Sequence, residues 1–299
     1  MNRKQYFPLT MALLLFINQV CAQDLMIGKI PQDTTYWMSD LSMGLNFNQA
    51  AFSGNWKSGG VNSIAWGAII NGTAKYAKGK YSWDNQLEMI YGLVKNEGQE
   101  TRKSNDRIFF DSKVGYKVSQ YWSYFASLNF ISQFTDGFDY SGPEKRLISG
   151  FFSPAFLTSG LGMEYKPNDA FSLRIAPVSP RFTFVSNENI AVNVPNNYGV
   201  PIGKKVRTEW LALQLFATYN KKLSENLTLN SRYFMYANYQ NFAFKEIDHR
   251  LDFMLIAKIT KFVDVTFTSI NLYDRDMDAK IQYSQALALG ILYKVSNKK

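Results

Sequence analysis

The sequence predicts an all-β protein, an antiparallel up-and-down transmembrane β-barrel of about 12 strands behind an N-terminal signal peptide. Two observations predict it: long stretches alternate between apolar and polar residues, and the connections between them alternate between short and long. Successive side chains take opposite sides only in a strand, so the alternation excludes a helix. The stretches also exceed a usual strand of about 5–6 residues and reach the roughly 9–11 residues that cross a bilayer.

The last stretch shows the alternation most clearly. Its apolar positions share one parity, and its small or polar positions, from Gln282 to Lys294, share the other. The apolar positions are Ile281, Tyr283, Leu287, Leu289, Ile291, Tyr293 and Val295. A membrane strand with one face toward lipid and one toward a lumen gives this pattern.

Twelve such spans are predicted, an even number, as bacterial barrels require. They cover residues 41–53, 63–77, 80–94, 107–118, 122–134, 155–165, 171–178, 206–219, 227–239, 247–260, 263–273 and 281–295. The short connections are 78–79, 119–120, 166–169, 220–226 and 261–262, and the longer ones are 54–62, 95–106, 135–154, 179–205, 240–246 and 274–280. Short periplasmic turns and long extracellular loops are typical of outer-membrane barrels, so we expect both termini in the periplasm of a Gram-negative cell.

The N-terminus predicts secretion. Residues 1–22 have a basic start at Arg3 and Lys4, an apolar run too short to span, and Ala22 for cleavage before Gln23. Cys21 leaves a lipoprotein open, although residues 18–20 make a poor lipobox. We expect a periplasmic leader over 23–40 and the barrel over 41–299.

Composition narrows the class further. The mean hydropathy is −0.22 and no long apolar run follows the signal, which excludes a helical membrane protein but not a barrel. The formal charge of +9 comes from scattered rather than clustered Lys and Arg residues. This favours contact with outer-membrane lipid and lipopolysaccharide, and argues against nucleic acid.

Charged residues on one parity predict a polar lumen. In three spans the charges face one way and apolar side chains the other, whereas a soluble barrel would turn the apolar face inward. The candidate lumen-lining residues are Asp84, Glu88, Arg107, Asp111, Lys113, Arg174, Arg232, Arg250, Asp252 and Lys258. Two possibilities stay open: the acids and bases pair and close the lumen, or they bind water and a small polar solute.

Aromatic residues flank the short turns and suggest the inner aromatic girdle of a barrel. They are Tyr76, Tyr81, Tyr116, Trp122, Tyr165, Phe171, Tyr219 and Phe262. The alternative is that aromatic residues simply favour strands.

A loop motif carries a family resemblance. The segment 55–63, with Asn55, Trp56, Gly59, Gly60 and Asn62, resembles the signature of an uncharacterised family, domain of unknown function 3078, typical of Bacteroidetes-type bacteria. The likeness continues through segments 78–85, 91–93, 102–106 and 165–169. The resemblance implies an outer-membrane barrel with no established activity, so no catalytic residue follows from it. The paired glycines themselves allow positive φ and close backbone approach.

Candidate chemistry is sparse. His249 is the single histidine, and His249-Arg250-Leu251 lacks the serine two residues later that some outer-membrane phospholipases use, so an interfacial role is favoured. Residues 274–278 resemble the start of a calcium loop but lack the glycine and acid at later positions, which favours a solvated turn. We therefore expect no enzyme, no metal site and no cofactor.

Three functions remain. The favoured one is a narrow channel or binding barrel for small polar solutes; a structural or assembly partner in the envelope and a lipid-modifying enzyme are the alternatives. The 179–205 connection, with strand-like pieces at 182–185 and 190–194, is expected either to constrict the lumen or to extend the barrel outward. The final strand also suggests recognition by the barrel assembly machinery.

Overall fold

The computed structural model describes residues 36–53, 55, 57, 60–191, 193–260 and 263–297. The expected signal peptide and the leader up to residue 35 lie outside the described residues. So do Trp56 and Gly59 of the loop motif and the turn residue Phe262.

The described chain forms long antiparallel strands joined to their sequence neighbours. The principal strands are β1 (Trp37–Ala50), β2 (Ser63–Lys78), β3 (Tyr81–Asn96), β4 (Arg102–Lys117), β5 (Trp122–Ser132), β8 (Ala155–Tyr165), β9 (Phe171–Val178), β12 (Ala212–Lys222), β13 (Leu227–Asn238), β14 (Asp248–Lys258), β15 (Val263–Asp274) and β16 (Asp278–Asn297). Four short strands, β6 (Gly137–Asp139), β7 (Arg146–Ser149), β10 (Arg181–Phe184) and β11 (Val206–Glu209), lie in the longer connections.

These twelve principal strands close into a barrel, because β1 pairs with β16 and β8 pairs with β9. The predicted strand count is therefore confirmed. All five of the short connections lie at one end of the barrel, which we call the short-turn end, and the longer connections lie at the long-loop end.

β10 and β11 prolong two strands of the barrel wall. Val178 pairs with Leu161 and Arg181 pairs with Thr158, so β10 continues β9 along β8. Pro177 and Pro180 flank the break, since proline cannot donate to a ladder. In the same way β11 continues β12, and the predicted span 206–219 is interrupted at residues 210–211.

Several predicted boundaries differ from the structure. β1 begins at Trp37, four residues before the expected start of the barrel. The predicted connections 95–106 and 274–280 shrink to residues 97–101 and 275–277, because β4, β15 and β16 extend further toward the long-loop end. The polar residues at the start of β4 still form strand pairs, because β3 continues beside them and its backbone groups are there to hydrogen-bond.

The outer surface of the barrel is apolar. Leu45, Leu287 and Ile281 are 66%, 68% and 70% exposed, while Glu88 and Lys113 on the opposite parity are each 5% exposed. A protein in water buries its apolar face, so this inverted arrangement identifies the outer surface as lipid-facing.

Aromatic rings gather at the short-turn end. Trp37 lies 5.3 Å from Tyr76 and 5.7 Å from Trp83 between ring centroids. Tyr81–Tyr116 and Trp122–Tyr165 pairs follow at 5.3 and 5.0 Å. Rings in such a row suit a membrane interface, where one end of the side chain is apolar and the other wet.

The connection between β10 and β11 folds into a small apolar cluster, which we call the loop cap. It consists of Val185, Ile190, Val194, Tyr198 and Val200, packed against Leu147, Ile148 and Met277. The predicted strand at 190–194 is wrong: helix α1 (Glu188–Ala191) occupies its start. The Asn193 and Val194 amides donate to the carbonyl oxygen of Ile190 and close a turn there, and Ile190 and Val194 both belong to the cluster. No helix among the described residues is long and apolar enough to cross a membrane.

The junction of the first and last strands has a short ladder. β1 and β16 pair from Ser39–Asn297 to Asn46–Gly290 and no further among the described residues. β1 nevertheless continues to Ala50 beside β2, and β16 pairs with β15 back to Asp278. We call this junction the β16–β1 seam.

Candidate functional site

A group of charged side chains joins opposite walls of the barrel. We call Glu88, Arg107, Arg232, Arg250 and Asp252 the upper charge layer. Arg107 Nη1 lies 3.1 Å from Asp252 Oδ2 and 3.3 Å from Glu88 Oε1. Arg232 Nη2 lies 2.9 Å from Glu88 Oε2, and Arg250 Nε donates to Asp252 Oδ1 at 2.8 Å. β3 and β13 stand six places apart in the twelve-strand ring, so the Glu88–Arg232 pair crosses the whole lumen.

A second group lies closer to the short-turn end. We call Asp84, Asp111, Lys113, Glu164 and Arg174 the lower charge layer. Arg174 holds Asp111 through two nitrogens, at 2.7 and 3.1 Å. Lys113 Nζ lies 2.5 Å from Glu164 Oε2 and 3.1 Å from Asp84 Oδ2.

The two layers balance in charge, with five acids and five bases between them. Buried charges are tolerated only when they are paired and hydrogen-bonded. The ring of Phe109 lies between Arg107 and Arg232, with its centroid 5.0 Å from each guanidinium carbon, and adds a cation–π contact to both. The arrangement makes the centre of the barrel a cross-linked layer of side chains.

Nine of the ten predicted lumen residues lie in these layers, and Lys258 does not. Lys258 is exposed at the short-turn end of β14, where its register partner is Asp264. Sequence reasoning missed Glu164. Its signal was the parity it shares with Thr158, Gly160 and Gly162 on β8, but small residues and glycines give little contrast with an apolar face.

A chamber of about 380 Å³ lies between the upper charge layer and the loop cap. Arg107, Arg232, Arg250 and Asp252 line its lower boundary, and Tyr198 and Met277 belong to its upper boundary. Its walls are largely apolar, with Phe109, Ile131, Phe216, Phe234, Ile270 and Leu272. The volume falls within the roughly 300–1,000 Å³ of small-molecule pockets.

Tyr198 fixes the loop cap to the neighbouring connection. Its hydroxyl donates to the carbonyl oxygen of Ile148 at 2.6 Å. Burial raises the pKa of Tyr198 to about 12, so its hydroxyl keeps the proton that this bond requires. The cap is thereby tied over the mouth of the lumen.

A third set of charges surrounds the upper chamber wall. Arg181 donates to Asp248 at 2.6 Å and lies over the ring of Tyr236, 3.3 Å from its centroid. Arg207 binds both Glu209 and Asp276. These pairs tie the β10–β11 extension to β14 and to the β15–β16 turn.

The family-like loop is held by its asparagines. Asn62 accepts a hydrogen bond from the Phe52 amide and donates to Glu97 Oε2 at 2.8 Å, and Asn55 accepts from Ser53 Oγ at 2.6 Å. Gly60 has a φ of 144°, and a Cβ there would meet the Phe52 ring at 2.7 Å. Gly60 therefore has the positive φ that glycine allows, and a side chain at this position would displace the Phe52 ring.

The two weaker sequence candidates have ordinary surroundings. His249 Nδ1 lies 2.8 Å from the hydroxyl of Tyr233. In the turn after β15, Asp276 is held by Arg207, and Asp274 Oδ1 accepts from the Asp276 amide at 2.9 Å. Within the part of the chain that the structure describes, no group of three or more His, Cys, Asp or Glu residues is placed to hold a metal ion.

A closed antiparallel barrel with an apolar outer face and a charged, paired lumen is a transmembrane β-barrel. Residues 47–138 match the family described as "Protein of unknown function (DUF3078)", which confirms the resemblance over that part of the chain. The family-like segment 165–169 lies beyond the matched residues. No curated protein matches this chain.

Solved outer-membrane barrels are similar at low identity. The translocator domain of the autotransporter NalP from Neisseria meningitidis is 11% identical, with 95% of this chain and 97% of that chain covered and a TM-score of 0.34. An outer membrane channel from Pseudomonas putida F1 is 8% identical, with 88% and 95% covered and a TM-score of 0.38. The toluene transporter TbuX from Ralstonia pickettii is 9% identical, with 87% and 89% covered and a TM-score of 0.31. The fold assignment rests on the strand pairing of this chain itself.

Proposed function

We propose that this protein is a non-enzymatic outer-membrane barrel that binds small polar solutes in its lumen and conducts ions poorly at rest. The short-turn end faces the periplasm, with both termini, and the long-loop end faces outward with lipopolysaccharide around it. Insertion by the barrel assembly machinery belongs to the same proposal.

The cross-lumen ion pairs carry this proposal. Arg107 with Asp252, and Arg232 with Glu88, join opposite walls at 3.1 and 2.9 Å. Side chains bonded across the diameter leave a continuous pore far narrower than the strand number allows. Above them lies a pocket of small-molecule size, so binding fits the geometry better than free diffusion.

The test is single-channel conductance of the refolded barrel in a planar bilayer. We expect small or rare conducting steps from the natural sequence. Alanine at all five residues of the upper charge layer is expected to raise conductance several-fold. Removing all five charged side chains together leaves no member of the layer as an unpaired buried charge, so this variant is expected to fold.

A matched control removes an ion pair outside the lumen, Lys145 with Glu100, whose side chains are each 49% exposed. Its double alanine variant is expected to conduct like the natural protein. Large steady steps from the natural protein would contradict a closed lumen. A barrel that stays silent in every variant would instead favour the envelope-partner function.

A further inference from the structure

Most charged groups around the chamber form ion pairs, and two of them have no ion-pair partner of their own. Four arginines and four aspartates line the chamber: Arg107, Arg181, Arg232, Arg250, Asp106, Asp248, Asp252 and Asp274. Asp106 is held by Lys103 at 3.0 Å, and Asp248 by Arg181 at 2.6 Å. Asp252 neutralises Arg107, and Glu88 neutralises Arg232. One guanidinium group, that of Arg250, and one carboxyl group, that of Asp274, remain.

Arg250 has hydrogen-bonding capacity to spare. It contacts Asp252 through Nε alone, and Asp252 is already shared with Arg107. Neither Nη group of Arg250 has a hydrogen-bond partner among the described residues. Guanidinium nitrogens in this position match the two oxygens of a carboxylate.

Asp274 is the corresponding free acid. It is 8% exposed, and its Oδ1 accepts the Asp276 amide. No cationic side chain of the described residues lies within ion-pair distance of it. Arg250 is the register partner of Leu272, so Asp274 lies two residues further along β15, roughly 7 Å away along the strand.

Between and beside these two charges the chamber is apolar. Phe216, Phe234, Ile270 and Leu272 belong to its lining. A ligand that satisfies all three features has a carboxylate, an ammonium group and an apolar body. Binding such a ligand also restores the pairing that a low-dielectric site demands of every charge.

We infer that the chamber binds a small zwitterion with an apolar side group, such as an aromatic or aliphatic amino acid. Its carboxylate binds Arg250 and its ammonium group binds Asp274. The inference rests on the proposed function and specifies its solute class.

Three matched probes test it by calorimetry on the full-length barrel in detergent: L-phenylalanine, 3-phenylpropionate without the ammonium group, and phenethylamine without the carboxylate. Phenylalanine is expected to bind about tenfold more tightly than either, because each lost charged hydrogen bond costs about that factor. Arg250→Gln is expected to remove the difference in affinity between L-phenylalanine and phenethylamine. Asp274→Asn is expected to remove the difference in affinity between L-phenylalanine and 3-phenylpropionate.

Arg146→Gln is the control, because Arg146 lies in the β6–β7 connection and is 51% exposed in its side chain. Heat-modifiable gel migration confirms that each variant is folded. Equal binding of the three probes, preference for either singly charged probe, or affinities unchanged by Arg250→Gln would overturn the inference. If no probe binds while the alanine variant of the upper layer still raises conductance, this inference fails and the closed-lumen proposal stands.

Discussion

Two sectors of the barrel wall are held by different interactions. β3, β4, β13 and β14 carry large charged residues that bond across the lumen. At the β16–β1 seam, the lumen-facing parity holds small uncharged residues such as Asn48, Ala286 and Gly290. The β2–β3 ladder runs the full length of both strands, from Ser63–Asn96 to Lys78–Tyr81, while the seam ladder stops at Asn46–Gly290. In the first sector charged side chains add to the backbone hydrogen bonds, whereas the seam ladder is shorter than the other ladder.

The largest effect is expected in the charged sector. Asp252→Ala leaves Arg107 and Arg250 without their shared carboxylate, in a position where Asp252 is 13% exposed. Removing one member of a buried ion group costs about 3–5 kcal/mol of the free energy of unfolding. Urea unfolding in lipid vesicles measures it. A loss no larger than that of an exposed residue such as Glu100→Ala would show that the layer is solvated and weak.

The next effect compares the lipid face with the seam's lumen face. Leu251 is exposed on the outer side of β14. Leu251→Arg is expected to lower the free energy of unfolding by about 2–4 kcal/mol, because the charge enters hydrocarbon. Ala286→Arg, on the inner parity of β16, is expected to cost far less, since Ala286 is exposed on the polar side of the wall and a charge there does not enter hydrocarbon. Equal costs in the same unfolding assay would contradict the assignment of the two faces.

A smaller, local effect concerns the seam itself. Above the Asn46–Gly290 pair, alternate amides of residues 279–289 are expected to exchange hydrogen nearly as fast as exposed amides, because β15 satisfies one edge of β16 only. Amides of β4, paired on both edges, are expected to be protected. Residue-level exchange in detergent micelles measures both. Uniform protection across residues 286–289 would mean that the seam ladder continues to Ala50.

The smallest effect lies outside both sectors, in the β6–β7 connection. Hydrogen bonds from the Ser141 amide and hydroxyl, and then from Arg146, lower the pKa of Asp139 to about 2. A lowered carboxyl pKa stabilises the fold above the ordinary value of 3.8 and loses that effect as pH falls through about 2. Arg146→Ala is expected to raise the pKa only partly, because the Ser141 amide bond at 2.9 Å remains. Carboxyl NMR titration measures it, and a full return to 3.8 would assign the shift to Arg146 instead.

The alternation of side chains was enough to predict the strands. It located all twelve principal strands and the inward parity of Asp84, Glu88, Arg107 and Asp111, because alternation is a property of one strand by itself. It failed where the strand is interrupted. At Pro177–Pro180 and at residues 210–211 the inward parity changes, so a single alternating pattern describes neither β9–β10 nor β11–β12 correctly.

The periodicity of apolar side chains could not predict the loop cap. The segment 190–194 looked strand-like because the larger apolar residues Ile190, Val192 and Val194 stand at every second position. Ile190 and Val194 form a helical turn because their partners, Leu147 and Met277, come from distant connections. Tertiary packing overrides local propensity in such short segments.

The sequence by itself determined a membrane barrel, its strand number and the inward parity of the uninterrupted strands, since lipid outside and polar groups inside impose alternation on each strand. Only the tertiary structure decided which of those inward charges pair with each other across the lumen. That outcome depends on which strands stand opposite each other once the sheet closes. Glu88 and Arg232 are separated by 144 positions in the chain and 2.9 Å in space. Closure of the sheet brings them together, and pairing is what makes their burial tolerable.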